Sequence, residues 1–314
     1  MFKKYEITYP SSDKKSQIVA DIFEPSAGGA RAIVQLSHGM VDHPGRYEAL
    51  AEYLTERGVI LAANHHLGHG KSVSRDEDFG YFADGDGITC LLRDMHQLNR
   101  TLRERYAGLP IILMGHSMGS FLSRLYVERY PHTIVGHIIH GTGGPHKLML
   151  PIGRALISLI SLFRGKRYRS GFIAGLAFSG YNSRFDRSEG KNAWLTRDTS
   201  KVAGRDDDKF TSFIFTLEGY NELFRMISAA NSGKWFNSYP KNMPTVIMSG
   251  TMDPVGQYGK GVSYVFKHML MAGCSSLTLK TYEGARHELF NETDECRDEV
   301  FADILAFITQ CTAK

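Results

Sequence analysis

Six short apolar runs recur along the chain, most of them separated by stretches of helical periodicity, and no other feature restricts the fold as strongly. They are Arg31–Ser37, Gly58–Ala63, Pro110–Met114, Ile134–Ile139, Pro244–Ser249 and Leu277–Tyr282. Runs without polar alternation suit parallel strands covered on both faces. Helical patterns fall at Tyr47–Arg57, Leu91–Tyr106, Met118–Tyr130, Tyr258–Ala272 and Asp298–Thr309. Two earlier segments, Tyr5–Tyr9 and Gln17–Phe23, read as a hairpin around the turn-forming Pro10–Asp13. The alternation predicts an α/β fold: a mostly parallel, eight-stranded sheet flanked by helices.

Between about Gly143 and Pro240 the alternation fails. That interval holds helix-like stretches and phenylalanine-rich segments but no convincing buried strand, so an inserted helical cap subdomain is expected. The expected division is core at 1–143, cap at 144–240 and core again at 241–314. In the first cap helix, Leu148, Ile152, Leu156, Leu159, Ile160 and Phe163 share one face, with Arg154, Ser158 and Ser161 opposite. The apolar helix from Leu148 and the phenylalanine-rich stretches at 172–185 and 210–224 are expected either to line an apolar ligand pocket or to pack the insertion onto the core. Arg164, Lys166, Arg167 and Arg169 read as partners of the helix dipole more readily than as a lipid-facing cluster.

Composition narrows the function classes. Lys and Arg number 37 against 33 Asp and Glu, a net charge of +4, which is too thin and scattered for nucleic-acid binding. Cys90, Cys274, Cys296 and Cys311 form no Cys-x-x-Cys pair, so reduced thiols are expected. No apolar stretch of signal-peptide length follows Met1–Ile7, and no segment reaches the ~20 apolar residues of a membrane span. A soluble protein of the cytoplasm is the expectation.

Gly115-His-Ser-Met-Gly119 is a Gly-x-Ser-x-Gly. It follows one predicted strand and opens a predicted helix, the setting of a nucleophile elbow. Gly115 and Gly119 suit a turn too sharp for side chains, and the helix N-terminus favours negative charge near Ser117. A serine hydroxyl needs a base to take its proton and an acid to orient that base. In this topology both follow later strands, acid first. Asp253 lies just beyond Pro244–Ser249, and His287 just beyond Leu277–Tyr282. Oxyanion N–H donors are expected from Met118, after the nucleophile, and from Met40, in the loop closing the third strand.

These residues, with His38–Leu50, Asn64–Ser72, Met248–Pro254 and Gly284–His287, resemble the monoacylglycerol lipase and lysophospholipase branch of the α/β-hydrolases, of the serine aminopeptidase S33 type. The resemblance runs from about Tyr5 to Phe307 and is poor across the cap. It implies a serine esterase of lipid-like substrates, with Ser117, Asp253 and His287 as triad, Met40 and Met118 as oxyanion donors, and no cofactor. Relatives commonly place Asp where His65 stands; that departure bears on loop geometry near the oxyanion hole. The cluster His65, His66 and His69 with Asp42 and His43 lacks further acidic spacing, so no metal is expected. The expected partners are a small acyl ester and, transiently, a membrane surface touched by the cap. Two rivals remain. One is an aminopeptidase using Glu189, Glu218 or Glu222 in the cap to hold a free amine. The other is a non-catalytic binding module on the same scaffold.

Overall fold

The computed structural model describes residues 2–313 of the 314-residue chain. Strands β1 (Phe2–Pro10) and β2 (Gln17–Pro25) form the expected hairpin, and β2 pairs antiparallel with β4 (Val59–Asn64). Strands β3 (Ala32–Ser37), β5 (Ile111–His116), β6 (Gly136–His140), β7 (Thr245–Gly250) and β8 (Leu277–Tyr282) complete one eight-stranded sheet. Its order is β1-β2-β4-β3-β5-β6-β7-β8, and from β4 onward all neighbours are parallel.

The unbroken apolar runs follow from burial on two faces. Along β5, Ile111 and Leu113 enter one core while Ile112 and Met114 enter the other. Helices α2 (Gly87–Arg105), α3 (Met118–Arg129) and α8 (Lys260–Met271) cover the first face. Helices α1 (Glu48–Thr55) and α9 (Asp294–Thr312) cover the second. Each fully buried Ile, Leu or Val contributes about 1.5–3 kcal/mol. Among the parallel strands only β8, at one edge of the sheet, is half-buried, and its Leu-Thr-Leu-Lys-Thr-Tyr sequence alternates accordingly.

Strand order reverses around β3, whose neighbours are β4 and β5. At such a switch point the loops leaving the strands' carboxyl ends part and open a crevice. Ser117 and the loop after Ser37 both lie there.

Between β6 and β7 run α4 (Met149–Arg164), α5 (Gly171–Ala177), α6 (Leu217–Ala230) and α7 (Gly233–Ser238). Ser170, Thr216 and Ser232 start the last three by accepting N–H bonds from their first turns. Helix α4 departs from the sequence expectation. Leu150, Gly153 and Ile157 face inward, and a Cβ at Gly153 would sit 2.6 Å from the Phe224 ring. Leu148, Ile152, Leu159, Leu162 and Phe163 are exposed. A small residue permits the close helix crossing, so the densest apolar face is left outward. The cations after α4 also have specific partners. Arg167 donates to Asp78 at 2.6 Å, and Arg169 donates to the carbonyls of Glu77 and Phe79 at 3.0 and 2.8 Å, tying the segment after α4 to the connection between β4 and α2. Among the described residues no helix is long and apolar enough to cross a membrane.

This orientation of α4 has a direct test. Ile157→Ala should cost ~2–5 kcal/mol in urea unfolding, whereas Phe163→Ala should stay within ~0.5 kcal/mol. The reverse ranking would place the other face of α4 against the protein.

Candidate active site

Ser117 joins β5 to α3 with φ 53° and ψ −119°, a region that side-chain-bearing residues rarely occupy. Its neighbours explain how the turn closes. A Cβ at Gly115 would lie 2.3 Å from the Gly119 carbonyl oxygen, and one at Gly119 would lie 1.9 Å from that of Ser37. Helix α3 can therefore pack on the end of β3 only where both side chains are absent. The Ser117 hydroxyl makes no capping hydrogen bond to α3, so the N–H groups of that first turn are not taken by its side chain.

Two loops bring the acid and the imidazole. Asp253 follows β7 and is fully buried; its Oδ1 accepts the Val255 N–H at 2.8 Å and lies 3.0 Å from Nδ1 of His287. With the carboxylate ionised, Nδ1–H is the donor, which leaves Nε2 of His287 as the basic nitrogen. The loops are stapled together: the Met252 N–H donates to Ala285 O at 2.9 Å, and the Gly284 N–H donates to Thr251 Oγ1 at 2.9 Å. His287 Nε2 is buried and has no hydrogen-bond partner, so no bond to Ser117 Oγ is formed here. Both residues line one cavity, and such bonds commonly tighten only once substrate is bound.

The loop after β3 forms the opposite wall, with a Cβ position at Gly39 only 3.3 Å from Cβ of Ser117. Met40 and Met118 line the cavity with Ser117. Val41 has φ 52°, a strained value for a β-branched residue. It is held from both sides: its N–H donates to His69 Nε2 at 3.3 Å, and its carbonyl accepts Arg205 Nη2 at 2.9 Å. Asp42 supports the same loop, accepting from Gly39 N–H, His43 N–H and the Tyr47 hydroxyl. Arg46 grips Glu288 with two bonds, 2.8 and 2.6 Å, and reaches Asp42 at 3.2 Å. Burial alone would raise the Glu288 carboxyl, yet the Arg46 guanidinium outweighs it and holds the group at about 2.

The histidines tie neighbouring loops together. His38 Nε2 accepts the His66 N–H at 3.0 Å, binding the loop after β3 to the loop after β4. Burial pushes His66 down to about 3 and His69 to about 4, so both stay neutral at physiological pH. His65 sits beside Asp21 of β2, 3.5 Å between Nε2 and Oδ1, and its Nδ1 accepts the Lys71 N–H at 3.3 Å. A carboxylate from a neighbouring strand thus lies beside His65. Among the described residues no group of three or more His, Cys, Asp or Glu has metal-holding geometry.

The cavity holds about 590 Å³. Phe121, Met149, Phe178, Phe213, Leu223 and Phe224 give it an apolar body; Lys191, Arg205, Asp206 and Glu288 lie at its polar part. Of the phenylalanines expected to line it, Phe172 is exposed and Phe215 is packed into the core. Arg46, Glu288, Arg205 and Trp194 were not singled out from the sequence. Arg46 stands inside the His38–Leu50 stretch and Glu288 beside His287, which was the available signal; nothing local marks Arg205 or Trp194.

Comparison with known proteins bears on the family and the fold. A model of the family described as serine aminopeptidase, S33, matches residues 28–294. A monoglyceride lipase homolog of monkeypox virus is 30% identical over 287 residues, covering 88% of this chain and 89% of that protein. Human monoglyceride lipase is 26% identical over 290 residues, covering 91% and 85% respectively. A thermostable carboxyl esterase from Bacillus coagulans, solved with glycerol, superposes over the full length of both chains with a TM-score of 0.91 at 28% identity.

The Arg46–Glu288 pair should be visible in acid. Because Glu288 titrates near 2 in the fold against an ordinary 4.5, its stabilising contribution is complete above pH ~4.5 and disappears as pH falls toward ~2. Arg46→Met should cost ~3–5 kcal/mol at pH 7 by stranding a buried carboxylate, and the R46M/E288Q double variant should recover part of that loss. Equal unfolding midpoints for the single and double variants would mean the pair carries no coupling.

Proposed function

The chain belongs to the serine aminopeptidase S33 family of α/β-hydrolases, and from that membership we propose that it hydrolyses carboxylic esters of single-chain lipids, with monoacylglycerol as the preferred class. The observation that carries this reading is a strained serine and an Asp253-oriented imidazole opening onto one mostly apolar cavity.

In the proposed cycle Ser117 Oγ attacks the acyl carbonyl carbon while Nε2 of His287 takes its proton. Asp253 holds Nδ1–H and stabilises the imidazolium. The tetrahedral oxygen accepts from the N–H groups of Met40 and Met118. The ester C–O bond then breaks, and His287 returns the proton to the departing alcohol. Water, deprotonated by the same nitrogen, attacks the acyl-enzyme and frees the fatty acid. Residues 144–240 act as the cap over the acyl chain.

The polar part of the cavity favours an uncharged head group over a lysophospholipid. Asp206 bonds Lys191 at 2.9 Å, and Glu288 is gripped by Arg46, so opposing charges already balance there. The three glutamates considered for the aminopeptidase alternative are engaged away from the cavity. Glu189 pairs with Arg286, Glu218 with Lys166 and Glu222 with Arg225, and none of the three lines the cavity. Leu148, Ile152, Leu159, Leu162, Phe163 and Phe172 form an exposed apolar face on the cap, suited to transient contact with a lipid surface. Four unpaired thiols suit a reducing, cytoplasmic setting.

Ser117→Ala should lower turnover on monoacylglycerol by ~10³-fold or more while preserving the melting midpoint. Glycerides, lysophospholipids, short-chain esters and amino-acid amides assayed side by side should rank monoacylglycerol first. Undiminished hydrolysis by the alanine variant, or amides as the preferred substrates, would overturn the proposal.

A further inference from the structure

We propose that Trp194, carried by the cap, is a positioning residue for His287, so that the cap completes the support of the catalytic base besides covering the acyl chain. This inference rests on the ester-hydrolase reading above and extends it to a residue with no place in the triad.

Asp253 holds the imidazole at a single atom, Nδ1. One hydrogen bond leaves a ring free to swing about that bond, yet proton transfer requires Nε2 within reach of the Ser117 hydroxyl. Two neighbouring rings supply the missing restraint. His116 packs at 4.8 Å between ring centroids with planes 42° apart, and Trp194 packs at 5.1 Å with planes 33° apart. His116 belongs to the end of β5; Trp194 belongs to the cap.

The indole is itself fixed from the cap side. The Trp194 main-chain N–H donates to Asn182 Oδ1 at 3.0 Å, and its ring packs edge-on against Tyr181 at 5.0 Å. The same segment clasps the loop that carries the base. The His287 N–H donates to Trp194 O at 3.4 Å and the Glu288 N–H to Leu195 O at 2.7 Å. Arg286 adds bonds from Nη1 to Ala193 O at 2.6 Å and Thr196 O at 3.1 Å. An aromatic face beside the imidazole also favours the cation that His287 becomes on accepting the Ser117 proton.

Trp194 lines the cavity as well, so the test must separate alignment of the base from contact with the acyl chain. The probes are p-nitrophenyl acetate, whose acyl group is too short to fill the apolar body, and p-nitrophenyl decanoate. Trp194→Leu should lower kcat by ~10–100-fold on both esters while KM stays within about threefold, and Trp194→Phe, which keeps a ring face, should hold kcat within about threefold of wild type. Melting midpoints separate loss of alignment from loss of fold, and the phenylalanine variant is an independent check should the leucine variant be unstable. A loss confined to the decanoate, a loss expressed in KM, a phenylalanine variant as poor as the leucine one, or no loss at all overturns the role of Trp194 alone. A wild type that cleaves neither ester overturns the ester-hydrolase reading and this inference with it.

Discussion

A sharp turn between β5 and α3 is the constraint on which the remaining geometry hangs. Helix α3 must leave the sheet at the end of β5 and press on the end of β3, and that approach leaves no room for a methyl group at Gly115 or Gly119. The strain this places on Ser117 is tolerated because buried strands on either side over-determine the path of the chain. In return the hydroxyl stands above the sheet edge, at the switch point where the loops after β3, β7 and β8 converge.

Those loops are long-range neighbours, and polar contacts rather than strand pairing hold them together. Arg46 and Glu288 connect the loop after β3 to the loop after β8, and Asp42 braces the backbone from Gly39 to His43. Val41, strained beside Met40, is pinned between His69 and Arg205. Fixed donors around developing charge cost no reorganisation during reaction, the main physical requirement of an oxyanion site. Arg205 and Trp194 both come from the segment between β6 and β7, and they join that segment to the loops holding Val41 and His287.

Much of this was legible in the sequence. Six apolar runs located β3 to β8, because parallel strands buried on both faces leave a distinctive unbroken signature, and the turn-forming Pro10–Asp13 marked the hairpin of β1 and β2; β8, grouped with those runs, is in fact an alternating edge strand. Ser117, Asp253 and His287 were proposed from the rule that nucleophile, acid and base each follow a strand in fixed order; the structure brings Asp253 and His287 into hydrogen-bonding contact and sets Ser117 and His287 on one cavity without a bond between them. What stayed hidden depends on packing between elements distant in the chain. The face of α4 was misread because helical periodicity shows which residues share a side, whereas Gly153 against Phe224 decides which side is inward. Arg205 and Trp194 sit in turn-rich cap segments with no periodic signal, and only the folded chain reveals what they touch.

The central claim is that Ser117 becomes covalently acylated with His287 as its base. Rapid acid quench of the enzyme with a p-nitrophenyl ester, followed by peptide mass spectrometry, tests it most directly. The account predicts one acyl adduct, on the peptide holding Ser117, formed within the first turnover and lost when His287 is replaced by alanine. Steady hydrolysis with no adduct, or an adduct on another residue, would contradict it.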